Sequence, residues 1–248
     1  MATKKPVSSP APAQPYFRPE ALKFLRNLAR HNDREWFQPR KPEFDAELRE
    51  PMLAVVRKIT EAMLDFAPDH VRPAEKSLFR IYRDTRFSHD KRPYKTHIAA
   101  WWSHQGLDKT SGAGYYFHVD AKEVIIAAGA YMPEKEQLAA IRHWLLDHHA
   151  EFRKIYCKPA VRRVFNELEG NALTRPPKGF PADHPGIDLI QHRQWGLSVA
   201  LPTSAALDPK LAAAVIRHLR LAAPLVDALN TPLVATLKPK KPLLFALR

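Results

Sequence analysis

Apolar positions in the first third of the chain recur every three or four residues. Leu22, Phe24, Leu25 and Leu28 form one stripe behind Pro19, a residue suited to a first helical turn, and predict a helix ending near His31. Asn32 followed by Glu35 reads as a capping box for a short turn through Trp36 and Phe37. A second stripe of Phe44, Leu48, Met52, Val55, Val56, Ile59, Met63 and Leu64 predicts helix from Glu43 to Phe66, with a kink or two abutting helices at Pro51.

After Pro73 the period falls to two. Ser77–Arg83 alternates, with Phe79 and Ile81 on one face and Arg80 and Tyr82 on the other. Further strands are expected over Thr96–His104, Tyr115–Val119 and Glu123–Tyr131. The last two form a hairpin about Asp120–Lys122. Trp101 and Trp102 should point to opposite faces of their strand, one into the core and the other either core or free to stack on a ring.

Helical spacing returns behind Pro133 with Leu138, Ile141, Leu145 and Phe152, and a shorter helix follows Pro159, ending before Gly170. Residues 171–190 read as an ordered loop, and Gly196–Leu201 as one more strand. Asp208 and Pro209 open a last helix that Pro224 should kink. Helices, then strands, then helices is not the alternation of a parallel sheet. The order predicts an α+β fold, an antiparallel sheet of about five strands flanked by N-terminal and C-terminal helices. Its expected limits are a disordered tail over 1–15, one domain over 16–232 and a basic tail over 233–248.

Composition narrows the class. The chain has 248 residues, 45% hydrophobic and 26% charged, with no apolar run near the roughly 20 residues that span a bilayer. One cysteine, Cys157, excludes an internal disulfide and fits a reducing, cytoplasmic setting. The formal charge of +13 favours polyanionic partners. It is unevenly spread: residues 101–170 are nearly balanced, and the excess lies at both ends and between Lys76 and His97.

That basic stretch reads Phe79-Arg80-Ile81-Tyr82-Arg83-Asp84-Thr85-Arg86-Phe87-Ser88-His89-Asp90-Lys91-Arg92-Pro93-Tyr94-Lys95-Thr96-His97. It resembles the signature of the bacterial and fungal domain-of-unknown-function 2461 family. Asn32-Asp33-Arg34-Glu35-Trp36-Phe37, Gly114-Tyr115-Tyr116, Ile141-Arg142, Pro177-Lys178-Gly179-Phe180 and Asp183-His184-Pro185 look like the same family in the same order. The likeness runs from about Phe17 to the last helix. It implies a single soluble, cytosolic domain and carries no assigned activity, catalytic residue or cofactor.

Read chemically, the stretch crowds Arg80, Arg83, Arg86, Lys91, Arg92 and Lys95 against only Asp84 and Asp90. Guanidinium forks match phosphates and carboxylates, so a bound anion is one missing partner. The site expected on this reading binds a phosphorylated small molecule through Arg80, Arg83, Arg86, Lys91 and Lys95, with Lys178 brought over by its loop. Asp84 and His97 would be its catalytic pair, with Asp90 and His118 as further candidates. Two alternatives stay open: a nucleic-acid-binding surface, and a scaffold in which Arg83 and Asp84 pair with helix residues such as Glu35 or Asp45. His97 and His118 could share a face, yet no metal-ligand spacing is present and no metal is assigned. Oligomeric state is not legible.

Overall fold

The computed structural model describes residues 16–86, 88–107, 112–165 and 167–235. Most of both expected tails, residues 1–15 and 236–248, lies outside them. Helix α1, Pro19–Arg30, buries the expected stripe of Leu22, Phe24, Leu25 and Leu28 and ends at His31. Helix α2, Arg34–Phe37, is capped by Asp33 and not by Asn32: the Asp33 carboxylate accepts the Trp36 N–H at 2.7 Å. Asn32 is held elsewhere. Its amide accepts the Tyr94 N–H and donates to the Tyr94 carbonyl, each at 3.0 Å, as a strand neighbour would.

Helix α3, Lys41–Phe44, leads through a π turn at Asp45–Arg49 into α4, Glu50–Met63, which stops short of the expected Phe66 and leaves Leu64 of the expected stripe exposed just past its end. The expected break is therefore real and has a local cause. Pro51 has no N–H for the carbonyl four residues before it, and the chain takes a wider turn just ahead.

Helix α5, Ala74–Ser77, occupies the start of the segment expected to be a strand. The residues after it are extended but form no ladder. Leu78 bridges Ala100, and Tyr82 bridges Tyr94, so the basic stretch doubles back on itself instead of pairing along the sheet. The sheet thus has four strands: β1 His97–Ser103, β2 Gly114–Asp120, β3 Glu123–Ala130 and β4 Trp195–Pro202. They are antiparallel in chain order, with the expected hairpin as β2–β3.

Alternation gives the sheet two unlike faces. Ile98, Ala100, Trp102, Tyr115, Phe117, Val119, Val124, Ile126, Trp195 and Leu197 are buried. They face the helical layer, in which α9, Leu211–Val234, packs on β3 and against both α4 and α6. Helix α6, Lys135–Tyr156, opens on a reciprocal capping box of Glu134 and Gln137. The short helices α7, Pro159–Phe165, and α8, Ile187–Ile190, complete the cover. Helix α9 runs on past Pro224 to Val234, two residues beyond the expected domain limit. No helix among the described residues is long and apolar enough to cross a membrane.

A second asparagine repeats the Asn32 device. Asn230 of α9 accepts the Ala113 N–H at 2.9 Å and donates to the Ala113 carbonyl at 3.0 Å. One clamp thus fixes the chain just before β1 and the other just before β2. Asn32→Ala should cost about 2 kcal/mol, because it strands two Tyr94 backbone groups at a part-buried position. Urea denaturation measures this, and a loss below a few tenths would show that water replaces the clamp.

Candidate functional site

The basic stretch satisfies its own carboxylates. Asp90 accepts from Arg83 at 2.5 Å and from Arg92 at 2.7 Å, while Asp84 is held by Arg86 at 2.8 Å. Lys91 donates to the Thr85 carbonyl at 3.0 Å and Lys95 to that of Arg80 at 2.8 Å. The Arg86 guanidinium pulls the Asp84 carboxyl down to about 2. Arg92 and then Arg83 hold Asp90 well below the usual carboxylate range. These pairs are local, joining residues two and seven apart, and they brace the loop without docking it on the helices. Among the described residues no ion pair joins Arg83 or Asp84 to Glu35 or Asp45: Arg83 takes Asp90, Asp84 takes Arg86 and Asp45 takes Lys41. Six cations on two carboxylates still leave an excess of positive charge, with Arg80 in no ion pair among the described residues.

A cavity lies on the other face of the sheet. It is a trough of about 480 Å³ crossing all four strands, with Phe79 and Trp101 at the β1 side and Glu169 and Ser198 at the β4 side. Register explains its shape. Trp101, Tyr116, Ala127 and Ser198 stand opposite one another across the sheet, and the next row toward the β1 C-terminus is Ser103, Gly114, Gly129 and Gly196. Three glycines in one row leave the floor low. Gly129 has φ +139, and a Cβ there would overlap the Trp195 carbonyl oxygen, so a side chain is doubly excluded. A Cβ at Gly114 would stand 2.7 Å from the Trp101 ring, which leans over that bare backbone.

The basic stretch borders this trough. Phe79 pairs its N–H with the Ala99 carbonyl and lines the wall, and the Lys95 ammonium sits 5.1 Å above its ring. Below that rim, on the same face, His97 stacks on His118 at 4.9 Å, and His118 Nδ1 meets the Tyr116 hydroxyl at 2.9 Å. Burial pushes His97 down to about 4, helped by His118 and Lys95, and lowers His118 as well. Burial also raises the Tyr116 phenol to about 12. The Tyr116 hydroxyl therefore keeps its proton, beside two neutral imidazoles.

The chain matches the model of one protein family, "Conserved hypothetical protein (DUF2461)", over residues 20–227. It belongs to the DUF2461 family. No curated protein and no solved structure matches it.

The DUF2461 motifs hold structural places as much as exposed ones. Asn32 is the Tyr94 clamp, Phe37 stacks on Tyr94 at 4.1 Å, and buried Arg142 donates to the His192 carbonyl at 3.0 Å. Pro177–Phe180 and Asp183–Pro185 lie against α6, with Phe180 on His143 and His184 on His149. Lys178 is exposed on that loop, and among the described residues no hydrogen bond or ion pair joins it to the basic stretch. Nor does any bond join Asp84 to His97: one is exposed and held by Arg86, the other lies under the β1 rim. Arg83, Arg86 and Lys91 are bound within the loop, and Lys95 meets the trough wall through the Phe79 ring while capping the Arg80 carbonyl.

Tyr116, Ile125, Ala127, Tyr131, Glu169, Gln194 and Ser198 were outside the expected site. Their signal was the second face of the strand pattern, where small and polar residues alternate with core ones. A separate hollow of about 570 Å³ at the opposite side holds His70, His104, Asp69, Asp227 and Asn230. Among the described residues no group of three or more His, Cys, Asp or Glu side chains could hold a metal ion.

The buried histidines set a pH dependence. In the unfolded chain His97 and His70 titrate near 6.5, and in the fold burial holds both at about 4. The unfolded state therefore binds more protons between those values. Stability is complete above pH 6.5 and falls as pH drops toward 4. Denaturation midpoints measured from pH 7.5 to 4 should decline, and His97→Gln should flatten that decline. An unchanged slope in the variant would show that His97 is protonated in the fold.

Proposed function

We propose that this protein binds a small planar organic anion, with a phosphate ester the leading chemical class, on the open face of its sheet. The observation that carries the reading is the aromatic trough bordered on one side by an excess of cations. Its volume of about 480 Å³ suits one small molecule. Trp101 and Tyr116 offer ring faces, and the glycine row lets a flat ligand approach the backbone. At the β1 wall, Lys95 and the remaining charge of the basic stretch attract an anionic substituent.

Residual charge of the stretch is thus used as a field at the rim and not as a closed ring of guanidiniums. A reducing cytoplasmic setting is part of the same proposal, supported by the single free, exposed Cys157.

Phenyl phosphate tests it. It should raise the melting temperature and bind the parent chain saturably, more weakly as salt rises. Trp101→Ala should weaken binding roughly tenfold through the lost stacking surface, and Lys95→Ala should weaken phenyl phosphate while sparing phenol. Binding untouched by Trp101→Ala would overturn the trough as the site. A short oligonucleotide that binds far more tightly, with a steep salt slope, would favour a nucleic-acid surface instead. A concentration-dependent dimer that shields Trp101 would show that a second copy covers the face.

A further inference from the structure

We infer that Tyr116 donates a hydrogen bond to the anionic group of the trough's ligand, and that His118 is the positioning residue that leaves its O–H free to do so. This deepens the trough reading and rests on it. Tyr116 and His118 lie on the same face of β2, and the Tyr116 hydroxyl meets His118 Nδ1 at 2.9 Å. One proton sits in that contact, and either group can supply it. His118 Nε2 decides which. That nitrogen is buried and has no hydrogen-bond partner among the described residues. The His97 ring stacks on His118 at 4.9 Å. Asp120, the next residue on this face, is occupied by the Lys122 and Glu123 N–H groups at 2.6 and 2.7 Å.

A neutral imidazole carries a single N–H. Placed on Nε2, it would be an orphaned buried donor, which folded proteins avoid more strictly than a bare acceptor. The proton therefore sits on Nδ1 and is donated to the Tyr116 oxygen. The Tyr116 O–H is left over, with no acceptor among the described residues. A hydroxyl that accepts on one side donates more strongly on the other.

Register places this donor at the cationic wall. Phe79 pairs its N–H with the Ala99 carbonyl, and Ala99 stands directly opposite His118. The hydroxyl that touches His118 is thus on the rung that Phe79 flanks. The Phe79 and Tyr116 rings both line the trough, 6.5 Å apart, and the Lys95 ammonium sits 5.1 Å from the Phe79 ring. An anion held there meets a charge from Lys95 and a directed O–H from Tyr116. Lys95 attracts it and Tyr116 orients it. A ligand with no acceptor atom at that end leaves the Tyr116 O–H unmet, so the site selects against it.

Two measurements on the full chain test this. Nitrogen NMR of the ligand-free protein near neutral pH should find the His118 proton on Nδ1, a readout that needs no variant. In calorimetry, Tyr116→Phe, which keeps the ring, should bind phenyl phosphate roughly tenfold more weakly than the parent. A proton on His118 Nε2 would overturn the inference, because the Tyr116 hydrogen would then be spent on His118. Equal affinity of Tyr116→Phe and the parent would overturn it too, and leave the trough reading standing. A parent chain that does not bind phenyl phosphate would overturn both.

Discussion

A four-stranded antiparallel sheet has two faces, and in this chain the helical layer behind α9 covers one. That asymmetry governs everything else. Large residues crowd the covered face, with Trp102, Tyr115, Phe117 and Trp195 fully buried, and their burial fixes the register. Register in turn decides what the opposite face presents: Trp101 and Tyr116 beside a row of glycines, with a charge of each sign at the two rims. The floor of the trough is the reverse side of the core.

Two asparagine amides hold this arrangement where strand pairing cannot. Asn32 and Asn230 each engage both backbone groups of one residue, Tyr94 and Ala113, immediately ahead of β1 and β2. Each substitutes for a missing strand neighbour. Because Tyr94 also stacks on Phe37, the basic stretch is tethered at its end while its middle is braced by Asp90 and Asp84. The stretch is a built loop whose carboxylates are fully used and whose charge is only partly cancelled.

Much of the architecture was legible because periodicity reports burial. The stripe of α1, the hairpin of β2 and β3 and the length of α6 all come from spacing. Segment 77–83 misled because alternation shows that a chain is extended and not what it pairs with. Tyr82 finds Tyr94 within its own loop, and Pro93, lacking an N–H, cannot extend a ladder. Asn32 misled because a capping side chain and a clamping one look alike in sequence. The trough was harder still. Charge density drew attention to residues 80–97, whereas Ser198 and Glu169 lie about a hundred residues downstream and join the site only through strand pairing. The arginines were visible and largely bound to neighbours. The trough's polar ends were scattered single residues.

The most direct test of the trough as a binding site is a crystal structure of the full chain grown with phenyl phosphate. Density is predicted for the ring over Trp101 and Tyr116, with the phosphate beside Phe79 and Lys95. A ring placed anywhere else, or a phosphate seated among Arg83, Arg86 and Arg92 with their aspartates displaced, would contradict it.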